Sequence, residues 1–168
     1  HAALLVTKAL VFNVQFKLAA IPPLLQAAAD ALNMHLHDPA LGEADAQVLR
    51  AEIDALASQN WYWQNEGQRS LAAAQQALEH LPADWLYARS GALLYLGLAA
   101  QMTGQLGMAQ QTLRAGLAAQ QAYPSTFVTR VLYALAIIHY LAGELTLMHQ
   151  IAEDCLQAAT RANLNLAR

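Results

Sequence analysis

The sequence predicts an all-α chain, a solenoid of about four antiparallel helical hairpins, and three observations predict it. Hydrophobic residues make up 57% of the 168 and charged ones 12%, so burial outweighs what a disordered chain could offer. The excess is mostly Ala and Leu, the residues least costly to place in a helix, while β-branched residues are few and no stretch alternates with period two. The third observation is a repeat. With Asn65, Gly104 and Gly143 as turn positions the separations are 104 − 65 = 39 and 143 − 104 = 39, and the flanking positions align without gaps.

Seven residues before each turn stand Ser58, Gly97 and Ala136, and twelve after it stand Ala77, Gly116 and Cys155, all small. Five after it come Ser70, Ala109 and Met148, and thirteen after it Leu78, Leu117 and Leu156. Small residues in a fixed column, with a Leu beside them, let two helices approach and fill the seam. The first hairpin fits the frame with Phe16 in the turn column, Ala9 and Ala28 in the small columns and Leu18 as the post-turn apolar residue. The ten extra residues between Phe16 and Asn65 fall in a loop marked by Asp38, Pro39 and Gly42.

Taken in order, helices are expected near 2–15, 21–34, 45–64, 68–81, 85–103, 105–122, 126–142 and 144–163. They form units of about 1–34, 45–82, 84–122 and 125–163, with a loop at 35–44, in a single repeat domain 1–168. Pro22 and Pro23 fall in a first turn, where a missing N–H costs little. Asp84 is placed to cap the fifth helix and Ser125 or Thr126 the seventh, with Pro82 and Pro124 just outside those starts.

Several functions are excluded or disfavoured. The longest apolar runs, at 92–100 and 131–138, are about half the roughly 20 residues that span a bilayer. Nine Lys and Arg against twelve Asp and Glu give a formal charge of −3, and the basic residues are scattered, so direct nucleic-acid binding is not expected. The single Cys155 excludes an internal disulfide and, with no signal peptide visible, suits a cytoplasmic protein. The chain starts at His1 and stops at Arg168 within helical patterns, and reads as a fragment of a larger protein whose apolar ends favour self-association.

Leu96-Gly97 and Leu135-Ala136, followed by Gly104 and Gly143, then Ala109, with Pro82 closing a unit, resemble the tetratricopeptide pattern, in a unit longer than the usual 34 residues. The segments 51–84 and 92–117, with the Tyr62-Trp63-Gln64 run before a turn and Leu-Pro closing the next helix, are similar in cadence to the helical-repeat sensor region of MalT-like, LuxR-family ATP-binding transcriptional regulators. The resemblance implies a right-handed superhelical, tetratricopeptide-like solenoid that senses a small-molecule effector or a protein partner. It also implies an NTPase and a promoter-binding domain elsewhere. No GxxxxGK[ST] phosphate loop occurs here, so ATP belongs to the missing domain and no cofactor is expected in this chain.

No enzyme chemistry stands out. His35 and His37 are two apart, a spacing that separates them on a helix, and no Cys adjoins them, so loop polarity is the reading and no metal site is assigned. His139 and His149 are placed to meet across the last hairpin as packing partners. Cys155, in a small-residue column, reads as an inert thiol. Glu43 and Asp45 flank a loop and Glu52 and Asp54 lie two apart on one helix, read as solvated or capping groups rather than an acid and base facing a common substrate.

In a tetratricopeptide-like hairpin the first helix lines the concave surface. The frame then turns inward Asn13 from the first unit, Glu52, Ala55, Gln59, Tyr62 and Trp63 from the second, and Leu94, Leu98, Gln101 and Met102 from the third. Arg130, Tyr133, Ile137, Tyr140 and Leu141 come from the fourth. Flat rings beside a few polar groups suit a sugar, a peptide or an amphipathic helix. Two readings stay open: these aromatics line a groove, or they seal adjacent repeats. At the level of the whole chain the choice is between an effector-sensing domain and a plain protein-interaction scaffold.

Overall fold

The computed structural model describes residues 1–34, 42–119 and 126–162. Among these every regular element is helical: α1 (Ala2–Val14), a single 3-10 turn (Leu18–Ala20), α2 (Ile21–Met34), α3 (Glu43–Trp63), α4 (Gly67–His80), α5 (Leu86–Met102), α6 (Leu106–Ala119), α7 (Thr126–Leu141) and α8 (Leu145–Arg161). Most ends lie within two residues of those expected. The start of α3 at Glu43 takes two residues from the expected loop, because Glu43 and Asp45 occupy its first turn, where carboxylates favour the positive end of the helix dipole. Pro22 and Pro23 sit in the first turn of α2. The expected loop residues His35 to Leu41, the Ser125 cap and Pro124 lie outside the described residues.

The four turn positions share one backbone conformation. Phe16 (φ 56), Asn65 (φ 61), Gly104 (φ 80) and Gly143 (φ 75) are the left-handed residues among those described. At each, the left-handed residue's N–H donates to the carbonyl three residues back, and the next N–H reaches the carbonyl five back. The second bonds are Lys17 to Phe12 (2.9 Å), Glu66 to Trp61 (2.9 Å), Gln105 to Ala100 (2.8 Å) and Glu144 to His139 (2.9 Å). That is the Schellman closure, which satisfies carbonyls a helix end otherwise leaves unpaired. After the left-handed residue the chain turns straight into the next helix through Glu66 (φ −93, ψ 62) and Glu144 (φ −87, ψ 62), with Lys17 (φ −84, ψ 54) the same.

Packing divides the chain into two compact units, His1–Tyr95 and Leu96–Arg168, with α5 running from one into the other. In the first unit α1, α2 and α3 share a core of Val6, Ala9, Leu25, Ala28, Leu32, Ile53 and Leu56. A second cluster joins α3, α4 and α5 through Ala51, Ala55, Ala77, Leu81 and Ala92. The small columns meet within the α3–α4 hairpin: Ser70 and Ser58 are fully buried, and the Ser70 hydroxyl donates to the Ser58 carbonyl at 2.7 Å. Arg89 ends α4 by donating to the carbonyls of Leu78 (3.3 Å) and Leu81 (2.5 Å), a cation placed on the negative end of the helix. Arg69 stacks on the Trp61 ring, 3.4 Å from its centre.

In the second unit α6 packs on α7 and α7 on α8. Gly97 meets Leu113 so closely that a Cβ added there would lie 2.5 Å from the Leu113 Cγ. The Cys155 thiol lies 3.5 Å from the Thr129 carbonyl across α7 and α8.

Candidate functional site

In the first unit the last turns of α1 and α3 meet the first turn of α5. The Gln59 amide of α3 donates to the Asn13 side-chain oxygen of α1 at 2.8 Å, and the Asn13 amide donates to the Tyr87 hydroxyl of α5 at 3.3 Å. Three first helices are thus linked by one run of polar side chains, which fixes the amide orientations where each bond polarises the next. Aromatic rings border it. Tyr62 stands edge-on to Trp63 with centres 5.4 Å apart and tilted to Tyr95 at 5.6 Å. Trp63 is 60% exposed and Tyr87 56%. A shallow recess of about 230 Å³ lies between Leu18, Ile21, Leu56, Gln59, Asn60 and Trp63. Even with its solvent-open part, that is below the roughly 300–1,000 Å³ of small-molecule pockets.

The other residues expected in a groove divide between surface and core. Leu94, at 2% exposed, is a core side chain, and so is Ala55. Neither meets solvent, because α5 and α3 are covered there by neighbouring helices. Gln59 is also buried and acts through Asn13. Glu52 is half-buried, and its burial pushes its carboxyl pKa up. Asp54 is raised as well, by burial first, with Arg50 and His80 opposing, so neither carboxylate is the freely solvated group expected from sequence. Glu43 and Asp45 are exposed.

In the second unit Leu98, Gln101 and Met102 are half-buried along the end of α5. On α7, Arg130, Tyr133, Ile137 and Tyr140 follow a spacing of three, four and three residues, which puts them on one helical face. Arg130 is exposed, Tyr133 is 64% and Tyr140 61% exposed, and Ile137 is half-buried. Leu141 continues that surface at 58%.

Sequence reasoning missed Tyr87. The signal was present, since Tyr87, Gly91, Leu94 and Leu98 share one face of α5; extending the face two turns toward the helix start finds it.

His139 and His149 do not meet. His139 is buried at 1%, its Nδ1 lies 2.5 Å from Glu144 and its Nε2 3.3 Å from Arg114, while His149 is exposed and pairs with Glu153. A guanidinium only donates, so Nε2 accepts and the ring proton sits on Nδ1, donated to Glu144. The atom a general base would use is occupied by Arg114, and the trio clamps α6, α7 and the last corner. Cys155 is half-buried, and burial pushes its thiol pKa up, away from the thiolate that nucleophilic chemistry needs. Among the described residues no three His, Cys, Asp or Glu converge as a metal site, and no helix is long and apolar enough to cross a membrane. His35 and His37 lie outside the described residues.

No family model, no curated protein and no solved structure matches this chain.

Proposed function

We propose that this chain is a tetratricopeptide-like binding module, a right-handed solenoid of four hairpins, and that its first-helix surfaces take a protein segment. The observation that carries this reading is the Gln59–Asn13–Tyr87 run beside exposed Trp63, with Tyr62 and Tyr95 behind it. Rigid rings supply contact area at low entropic cost and oriented amides supply register, the chemistry of a peptide-binding surface. The shared closure at Phe16, Asn65, Gly104 and Gly143 supports the repeat. The exposed Tyr133 and Tyr140 give the second unit a surface of the same character.

The cellular role we propose is sensing, in a bacterial transcriptional regulator of the MalT-like, LuxR-family kind. A bound partner shifts the module between conformations only by its differential affinity for them. The shallow recess beside Trp63 favours a peptide or amphipathic helix over an enclosed metabolite. The test is a thermal-shift screen of sugars, nucleotides and metabolites beside a displayed peptide library. A ligand at a hundred times its Kd adds about 2.7 kcal/mol of apparent stability. Peptide hits lost in Trp63→Ala and weakened in Asn13→Ala are the expected result. Hits indifferent to both substitutions would overturn the assignment of this surface, and a metabolite hit lost in Trp63→Ala would restore the small-molecule sensor.

A further inference from the structure

Two carboxylates stand two residues apart on α3 and meet opposite surroundings. Asp54 has Arg50 and His80 beside it, and both favour its charged form against burial. Glu52 is half-buried, burial raises its pKa, and among the described residues no hydrogen bond or salt bridge holds its carboxylate. A carboxylate drawn partly out of water with no cation on it is a cost to the folded chain.

The cations of the first unit are engaged elsewhere. Within His1–Tyr95 there are five Lys and Arg against nine Asp and Glu. Lys8 and Lys17 lie over the Phe12 ring, and Arg50 donates to the Asn33 side chain at 2.8 Å. Arg69 stacks on Trp61, and Arg89 holds the carbonyls that end α4. The unit is acidic, and the positive charge that would complement Glu52 does not come from its own side chains.

Position on the helix links this carboxylate to the surface already described. Glu52, Gln59 and Trp63 are separated by seven and four residues, which puts them on one face of α3. At 1.5 Å of rise per residue, Glu52 lies about 10 Å from Gln59 and about 16 Å from Trp63 along the axis. An extended segment covers those distances in about three to five residues. The Gln59 amide nitrogen donates to Asn13, while its oxygen is a further acceptor on the same face.

We propose that the protein segment taken by this surface carries an arginine or lysine, whose cationic side chain meets the Glu52 carboxylate while neighbouring residues of the segment lie against Gln59 and Trp63. Ammonium and guanidinium groups only donate, which matches a carboxylate and an amide oxygen, and a charge-assisted bond here also fixes the register of the segment. The inference rests on the peptide-binding reading of the Trp63 surface and adds to it the charge of the partner.

The test is selection of a displayed library of random heptapeptides against the whole chain, Trp63→Ala, Glu52→Gln and Glu52→Lys, each checked for helical content by circular dichroism. The expected result is a set of peptides lost in Trp63→Ala that share a basic residue at one position. Such a peptide should bind Glu52→Gln about tenfold or more weakly than wild type, and its version with alanine at the basic position should bind the two chains alike. Selection against Glu52→Lys should turn that position to Asp or Glu, and Glu52→Gln, which keeps the side chain's shape, carries the test alone should Glu52→Lys misfold. Weaker binding by a Glu52→Gln chain that melts no lower than wild type separates recognition from folding. Peptides that depend on Trp63 but share no basic position, or that bind Glu52→Gln unchanged, would overturn this inference and leave the peptide-binding surface standing. A library that yields no Trp63-dependent peptide would overturn both.

Discussion

The α3–α4 hairpin of the first unit and the Gly97–Leu113 contact of the second hold their helices close in different ways. In the first, Ser58 and Ser70 face each other, and a hydroxyl donating to a main-chain carbonyl fills the seam. In the second, Gly97 leaves its place to the Leu113 side chain, which enters where a Cβ would be. The same column therefore demands a small residue for two reasons, a polar bond in one hairpin and an absence of atoms in the other. The corners differ in parallel: the first unit turns on Phe16 and Asn65, the second on Gly104 and Gly143, yet all four adopt one left-handed geometry. The backbone geometry is shared, and the side chains that accommodate it are not.

The largest effect expected from this contrast is at Gly97. Gly97→Val forces branched carbons into the Leu113 side chain and costs about 3 kcal/mol by overpacking, read from the midpoint of urea unfolding. Gly91→Ala, in the same helix with nothing within 4 Å of the added carbon, gains about 0.5–1 kcal/mol from helix propensity. Equal signs for the two would remove the distinction between the hairpins.

Next come the corners. Gly104→Ala and Gly143→Ala each lose about 1 kcal/mol, because an L side chain at positive φ is strained. Phe16→Gly gains about 0.5–1 kcal/mol, since Phe16 is 79% exposed and leaves little packing behind when its strain is relieved. Loss of stability in Phe16→Gly would mean that the first corner is held by contacts of the ring. Ser70→Ala should cost about 1 kcal/mol, the net worth of one hydrogen bond.

The smallest effect is a pH dependence carried by two carboxylates of the first unit. The pKa values of Glu52 and Asp54 are raised by folding. Their protonated forms are favoured in the native state, so that contribution is full below the unfolded values of about 4 and is lost as pH rises through the folded ones. Glu52→Gln and Asp54→Asn should therefore raise the Tm at neutral pH, with the gain vanishing in acid. A gain that persisted unchanged in acid would assign the effect to packing.

Much of the helical frame was legible because it is local. Gly104, Gly143 and Asn65 are residues that accept a left-handed corner, and the columns of small side chains fall at fixed distances from them. Phe16 was found only by continuing the frame, since an aromatic residue gives no sign of positive φ. The 3-10 turn at Leu18–Ala20 was not legible, because three apolar residues carry no periodicity. Leu94 was assigned to a binding surface and is a core side chain, because periodicity shows that residues share a face and not which neighbour covers it. The joining of Asn13, Gln59 and Tyr87, and of Arg114, His139 and Glu144, depends on contacts between separate helices that no local pattern encodes.

One corner geometry occurs four times in the chain, and amide hydrogen exchange reads it residue by residue. The N–H groups of Lys17, Glu66, Gln105 and Glu144, each bonded to the carbonyl five residues back, should all exchange far more slowly than open turn amides, although each lies just past a helix end. An amide among the four that exchanges as fast as an unstructured peptide would contradict it.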